Sequence, residues 1–187
     1  MHEADVWSDI RADLAVLAGA RKLSLVRALV AKRQFRVIFF YRLARATKSS
    51  NSPLKKVAYP LLWLLHRTCS ERLCMELPLS CEVGPGLRIF HGYGLVVHGD
   101  ARIGPGVTLK HHTTIGATDR GVPMIGSNVE IGAHCLVIGA VNVGDGATIG
   151  AGSVITKNVP AGAVVVGTGS SVRVVRYQNL ETDGGVR

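Results

Sequence analysis

A chain of 187 residues with 47% hydrophobic and 19% charged residues is long enough for one domain with an appendage, and too apolar for an extended disordered segment. Its 22 glycines against 5% aromatics favour tight, repetitive backbone over a large aromatic core. The net charge of +9 is uneven: residues 1–80 hold 14 Lys/Arg against 6 Asp/Glu, and residues 81–187 hold 8 against 7.

The basic half suits anionic lipid or a phosphorylated ligand as well as plain solvent, and nucleic acid is not the expected partner. The cysteines Cys69, Cys74, Cys81 and Cys135 form no CxxC pair, which argues against a zinc site. No secretory leader is legible at the N-terminus. Free thiols in a reducing cytoplasm, and no metal, are therefore the expectation.

Residues 5–48 read as helical. Asp5 or Ser8 is placed to cap a first helix through Trp7, Ile10 and Leu14. A second helical run, Leu23 to Ala46, interleaves Leu25, Leu29, Phe35, Ile38 and Tyr41 with Arg27, Arg33, Arg36, Arg42 and Arg45. Residues 48–53 are a Ser/Asn/Pro loop. Leu54 to Cys74 resumes the helical pattern, interrupted by Pro60. Its apolar stretch Val57–Leu65 falls short of the roughly 20 residues that span a bilayer. Packing against the repeat region or a neighbouring subunit is expected. The alternative is peripheral attachment to a membrane surface, helped by Lys55, Lys56 and Arg67.

From about residue 82 aliphatic residues recur every six positions. Ile125, Ile131, Val137, Val143, Ile149 and Ile155 run without a break, preceded by Ile103, Leu109, Ile115 and by Val83, Ile89, Leu95. Glycine follows the aliphatic at Gly84, Gly104, Gly116, Gly126, Gly132, Gly144 and Gly150. A period of six fits neither an amphipathic helix nor an ordinary strand. It fits a β-helix of flat-sided coils with one aliphatic per side pointing inward, about four coils in all. The phase slips by two residues between Leu95 and Ile103, and by four within Ala117–Met124; such insertions are expected to loop outward, often on a binding face.

Three stretches carry a family resemblance: Gly86-Leu-Arg-Ile-Phe-His-Gly-Tyr-Gly-Leu-Val-Val97, Ile149-Gly-Ala-Gly-Ser-Val154 and Lys157-Asn-Val-Pro160. With Thr113–Gly116, Pro123–Gly126 and Ile131–Ala133 they make residues 83–174 resemble the serine acetyltransferase-like branch of the hexapeptide acyltransferases. The resemblance implies a mainly β fold: a left-handed parallel β-helix over residues 81–174, an α-helical region over 1–80 and a tail over 175–187. It implies acetyl-CoA as co-substrate, and trimers or dimers of trimers with active sites between subunits. Location in the cytoplasm, with peripheral contact at the inner membrane surface as an option, is the matching expectation.

His91 aligns with the family's catalytic histidine, the general base that deprotonates the acceptor hydroxyl, a task suited to imidazole near neutral pH. Glu76 aligns with its acidic partner; a surface glutamate at a helix-to-repeat junction is the other reading. His111 and His112 lie one coil on, where alternate residues point in and out, so at most one is expected to face the cleft. His98 and Arg120 fall at the phase slips and are acceptor-site candidates. For acetyl-CoA the resemblance implies Ala133 and Ala151, then Ala117, along the groove, with Thr148 and Lys157 toward the nucleotide. Arg173 and Arg176 are further cations for CoA phosphates.

Two departures matter. The family's acid immediately before the catalytic histidine is Phe90 here, and its Arg-His-Pro is replaced by Arg120-Gly-Val-Pro123. An amino acid's ammonium and carboxylate thus lose expected partners, whereas Phe90 suits a sugar ring. A saccharide or polysaccharide-precursor acceptor is the leading expectation. Serine acetylation and a non-catalytic trimeric scaffold remain alternatives.

Overall fold

The computed structural model describes residues 6–19, 23–49, 53–168 and 171–177, with only the backbone of residues 176 and 177. Asp5 and the side chain of Arg176 therefore lie outside the described residues. Helix α1 spans Val6–Ala18, with Ser8 inside it rather than capping it. The expected second helix is two: α2 (Leu25–Ala31) and α3 (Arg33–Ser49), separated by extended backbone at Lys32. Ser24 caps α2, its Oγ accepting from Arg27 N at 3.3 Å. No Gly or Pro announces the break. Helix α4 (Lys55–Glu71) runs straight through Pro60 instead of stopping there. Pro60 is exposed and sits early in the helix, so the Lys56 carbonyl it leaves unbonded is open to water.

Four coils follow. The first is β1 (Glu82–Val83), β2 (Arg88–Phe90) and β3 (Val96–Val97); the second is β4 (Arg102–Ile103), β5 (Thr108–Lys110) and β6 (Thr114–Gly116). The third is β7 (Met124–Ile125), β8 (Glu130–Ile131) and β9 (Leu136–Ile138); the fourth is β10 (Asn142–Val143), β11 (Thr148–Ile149) and β12 (Val154–Ile155). Strands β13 (Ala163–Val166) and β14 (Arg173–Tyr177) close the last end, paired antiparallel. Within the coils every pairing is parallel, giving three faces: β1-β4-β7-β10, β2-β5-β8-β11 and β3-β6-β9-β12. This is the parallel β-helix the six-residue period predicts.

The inward rows are Ile103, Ile125, Val143 on the first face, Ile89, Leu109, Ile131, Ile149 on the second and Val97, Ile115, Val137, Ile155 on the third, all buried. Each such side chain contributes about 1.5–3 kcal/mol on leaving water. Between them, buried Thr113, Cys135 and Ser153 are satisfied by carbonyls of the coils: Thr113 Oγ1 donates to Gly132 O at 2.9 Å and Ser153 Oγ to Gly150 O at 2.6 Å.

The first phase slip lies elsewhere than expected. Val97, not Leu95, is the inward residue of β3, six before Ile103 and eight after Ile89. Leu95 is also buried, but stacks over Thr113 in the second type of core position. The two extra residues are therefore in the turn His91–Gly94, and His98 follows β3 on a side of regular length, six residues from Val97 to Ile103.

The helices share this core. Val37, Ile38 and Tyr41 of α3 pack into the same buried cluster as the β-helix rows, while Phe35 joins Ile10 and Ala28 in a smaller one. Arg42 is the joint. Its Nε and Nη2 bind the two Asp13 oxygens at 2.9 and 3.1 Å, and its Nη1 and Nη2 donate to Val83 O and Gly84 O, each at 2.6 Å. Asp13 also accepts from Leu87 N at 2.8 Å. Burial opposes the Arg42 charge, but the bonds to Asp13 outweigh it and raise the guanidinium above its ordinary pKa. Helix α4 packs on α3, and its outer face leaves Val57, Leu61 and Leu64 exposed. Among the described residues no helix is long and apolar enough to cross a membrane.

Candidate active site

Strand β2 is the free edge of the second face, and its last residue hands over to the turn that leads to the third face. His91 opens that turn in left-handed backbone, φ +58°, which turns its exposed ring off the strand. Such a conformation costs a non-glycine residue on the order of 1–2 kcal/mol. His112 and His134 adopt it at the same corner of the next two coils, φ +52° and +57°. Four histidines thus line one corner: His111 lies 6.2 Å from His91, 5.7 Å from His112 and 5.2 Å from His134 between ring centroids, and His112 stacks on His134 at 4.8 Å.

His111 is half-buried, and its Nδ1 is enclosed without a hydrogen-bond partner. Burial first, then the neighbouring His134, His112 and His91 and Lys110, push its pKa below the ordinary histidine value. The corner brings both His111 and His112 into one histidine cluster, their ring centroids 5.7 Å apart.

The strand register carries this corner down the coils. His91 is followed by His111, Ala133 and Ala151 in one row, with His134 N donating to His111 O at 3.1 Å and Gly152 N to Ala133 O at 2.8 Å. Thr148 faces outward from β11 beside this row. The row is small and accessible below the histidines. That is the surface a long, thin thioester arm can follow. Phe90 ends β2, 42% exposed, with the Arg88 guanidinium 5.0 Å above its ring. Glu76 is bridged to Val96, its N donating to Leu95 O at 2.8 Å, so it stands beside the first coil. Its side chain is exposed, and no hydrogen bond or ion pair joins it to His91.

His98, Ala117, Arg120 and Lys157 belong to a different corner, between the third and first faces. His98 Nδ1 accepts from Asp100 N at 3.2 Å. The four extra residues form a tight loop there, closed by Thr118 N to Gly121 O at 2.9 Å, with Arg120 exposed at its tip. Within one chain the candidates therefore split: His91, Phe90, His111, His112, Ala133 and Ala151 at one corner, His98, Ala117, Arg120 and Lys157 at the other.

Sequence reasoning passed over Tyr93 and Arg33. Tyr93 lies in the His91 turn, and its hydroxyl accepts from Arg33 Nη1 at 3.4 Å. Placing the two-residue slip after Leu95 hid that turn; placing it after Ile89 exposes it.

The repeat model described as bacterial transferase hexapeptide (six repeats) matches residues 123–157. The putative colanic acid biosynthesis acetyltransferase WcaB of Escherichia coli K12 is 36% identical over 125 residues, covering 64% of this chain and 75% of that protein. The chain belongs to the hexapeptide-repeat transferase family. Serine acetyltransferase 2 of Arabidopsis thaliana is 29% identical over 96% of this chain, which spans 56% of that protein's length. The Brucella abortus serine acetyltransferase in complex with coenzyme A superposes with a TM-score of 0.73 at 25% identity, over 92% of this chain and 67% of that one. The similarity to serine acetyltransferases thus extends through the helices, beyond the repeat.

Proposed function

We propose that this family member is an acetyl-CoA-dependent O-acetyltransferase whose acceptor is a hydroxyl of a saccharide or polysaccharide precursor. The observation that carries the reading is the corner row: an exposed histidine at its head and small residues, Ala133 and Ala151, below it. The coenzyme A complex of the Brucella protein and the polysaccharide role in the name of the Escherichia coli relative support it. His91 takes the acceptor's proton as its oxygen attacks the thioester carbonyl. The tetrahedral intermediate collapses and expels the CoA thiolate, which regains the proton from the imidazolium; an acetyl ester and CoA leave. Glu76 is the acid proposed to attract the imidazolium while it carries that proton. Phe90 offers its exposed ring to a sugar face.

The active unit is proposed to be a trimer. The outward residues of the third face, Val96, Leu136 and Val154, are apolar apart from Thr114, whereas the second face shows Arg88, Lys110, Glu130 and Thr148. Burying the third face around a three-fold axis sets the His91 corner of each subunit against the Arg120 corner of its neighbour, because a cyclic contact joins unlike edges. His98, Ala117, Arg120 and Lys157 would then come to the site from the neighbour.

The second reading is L-serine as acceptor, favoured by the match to the Arabidopsis serine acetyltransferase across the helices as well as the repeat. CoA release by the full chain with acetyl-CoA and a panel of L-serine, free sugars and sugar phosphates separates the two. Turnover confined to serine overturns the saccharide reading, and no turnover with any acceptor overturns the enzyme.

A further inference from the structure

An open cleft of about 390 Å³ lies beside the His91 turn, lined by Arg33, Arg36, Cys69, Arg72 and Leu73. Arg33 and Arg36 are three apart on α3, and Cys69 and Arg72 are three apart at the end of α4, so each pair shares a helix face. The cleft adjoins the turn directly. Arg33 reaches the Tyr93 hydroxyl at 3.4 Å, and Gly94 N donates to the Leu73 carbonyl at 3.3 Å. Gly92 lies against the Gln34 and Met75 side chains.

The charge here is uncompensated. Residues 23–80 carry 11 Lys/Arg and only two acids, Glu71 and Glu76. Glu71 is held by Arg67 at 2.7 Å, outside the cleft. Among the described residues no carboxylate pairs with Arg33, Arg36 or Arg72. Three guanidinium side chains lining one cleft repel one another unless an anion joins them, and their planar forks match phosphate oxygens.

Position decides what the anion belongs to. From His91 the small-residue row proposed for the thioester arm runs down the coils toward Ala151. The cleft lies on the other side of His91, beside the Tyr93–Gly94 end of its turn and away from that row, which leaves it to the acceptor.

We infer that the Arg33–Arg36–Arg72 cleft binds the phosphoryl group of a phosphorylated saccharide acceptor, holding its sugar hydroxyl at His91. This rests on the acetyl-transfer reading and narrows it. The same diphosphate chemistry occurs in nucleotide-linked and lipid-linked sugars.

The test is calorimetric titration of inorganic pyrophosphate into the full chain already saturated with CoA, which removes the CoA phosphate sites from the measurement. Pyrophosphate binds the unaltered chain, and the Arg36→Ala/Arg72→Ala variant binds it at least about tenfold more weakly. Arg72→Ala alone, at an exposed helix end, gives a smaller loss in the same direction and serves if the double variant does not fold. No binding, or equal binding by the variants, overturns the inference. Displacement of pyrophosphate by UDP-glucose assigns a nucleotide-linked acceptor, and displacement by glucosyl phytanyl diphosphate in micelles a lipid-linked one; displacement by neither overturns the assignment to an acceptor. Pyrophosphate binding without CoA release on any acceptor would instead refute the acetyl-transfer reading, while CoA release without pyrophosphate binding refutes the cleft alone.

Discussion

His112 and His134 stack one coil above the other, ring centroids 4.8 Å apart and planes 17° apart, with His111 packed edge-on against both. Charging one ring of such a group disfavours charging the next. His111 bears this most, since burial and three histidine neighbours all lower its pKa. His134→Ala removes a like charge, so the His111 pKa rises toward the ordinary value. It does not reach that value, because burial, the larger cause, remains. Imidazole proton shifts followed by NMR against pH read this, and an unchanged or lower His111 pKa in the variant contradicts it.

At the head of the same corner, His91→Ala removes the proposed base. Turnover should fall by about 10²–10⁴-fold, the usual contribution of a positioned proton acceptor. The Michaelis constant for acetyl-CoA should move little, because that arm is proposed to run along Ala133 and Ala151. Steady-state CoA release measures both; near-normal turnover removes His91 from the mechanism.

The four-coil fold was legible because one inward aliphatic per flat side forces a period of six, and that period survives in bare sequence at Ile125 through Ile155. Leu95 misled because two kinds of core position exist. A bulky aliphatic stacked over Thr113 looks the same in sequence as an inward strand residue such as Val97. The site was legible only in part. His91 and its row share a corner, but Arg120 and Lys157 sit at another, and no six-residue pattern states which corner of which chain meets which. The arginine cleft was invisible because Arg33 and Arg72 are 39 residues apart and meet only through helix packing.

Arg42 and Asp13 make a separate prediction, about stability. Their bidentate pair is buried, and it ties α1 and α3 to Val83, Gly84 and Leu87 of the first coil. Removing one partner strands the other charge. Asp13→Leu or Arg42→Met should each cost about 3–5 kcal/mol in urea unfolding. The double variant should cost less than the sum, since no charge is then left alone. Strict additivity would mean that the two do not act as a pair.

His66 predicts acid sensitivity. It is buried on α4 against Tyr41, with Nε2 unpaired, and burial lowers its pKa from 6.5 to about 4. Between those values the unfolded chain binds a proton the folded chain refuses, so stability is full above pH 6.5 and falls as pH drops toward 4. A shift of this size corresponds to about 3 kcal/mol at most. His66→Gln should flatten the fall over that window, measured as urea midpoint against pH. A slope equal to that of the unaltered chain would place the acid sensitivity in another group.

Gly104 tests the reason for glycine at the coil corner. Its φ is not in the left-handed region, so backbone freedom is not what the position demands. The demand is space: a Cβ there would lie 2.7 Å from the carbonyl carbon and oxygen of Gly126 in the next coil. Backbone cannot swing aside as a side chain does, and forced overpacking costs about 1–3 kcal/mol. Gly152 is the contrast, with φ +73° and nothing within 4 Å of the same hypothetical atom. Gly104→Ala should therefore lower the unfolding midpoint by spreading the coils. Gly152→Ala should show only the strain of a left-handed residue, about 1–2 kcal/mol. His112 and His134 already bear that strain at the same corner. Equal losses from the two variants would mean that conformation, not coil spacing, selects glycine throughout the repeat.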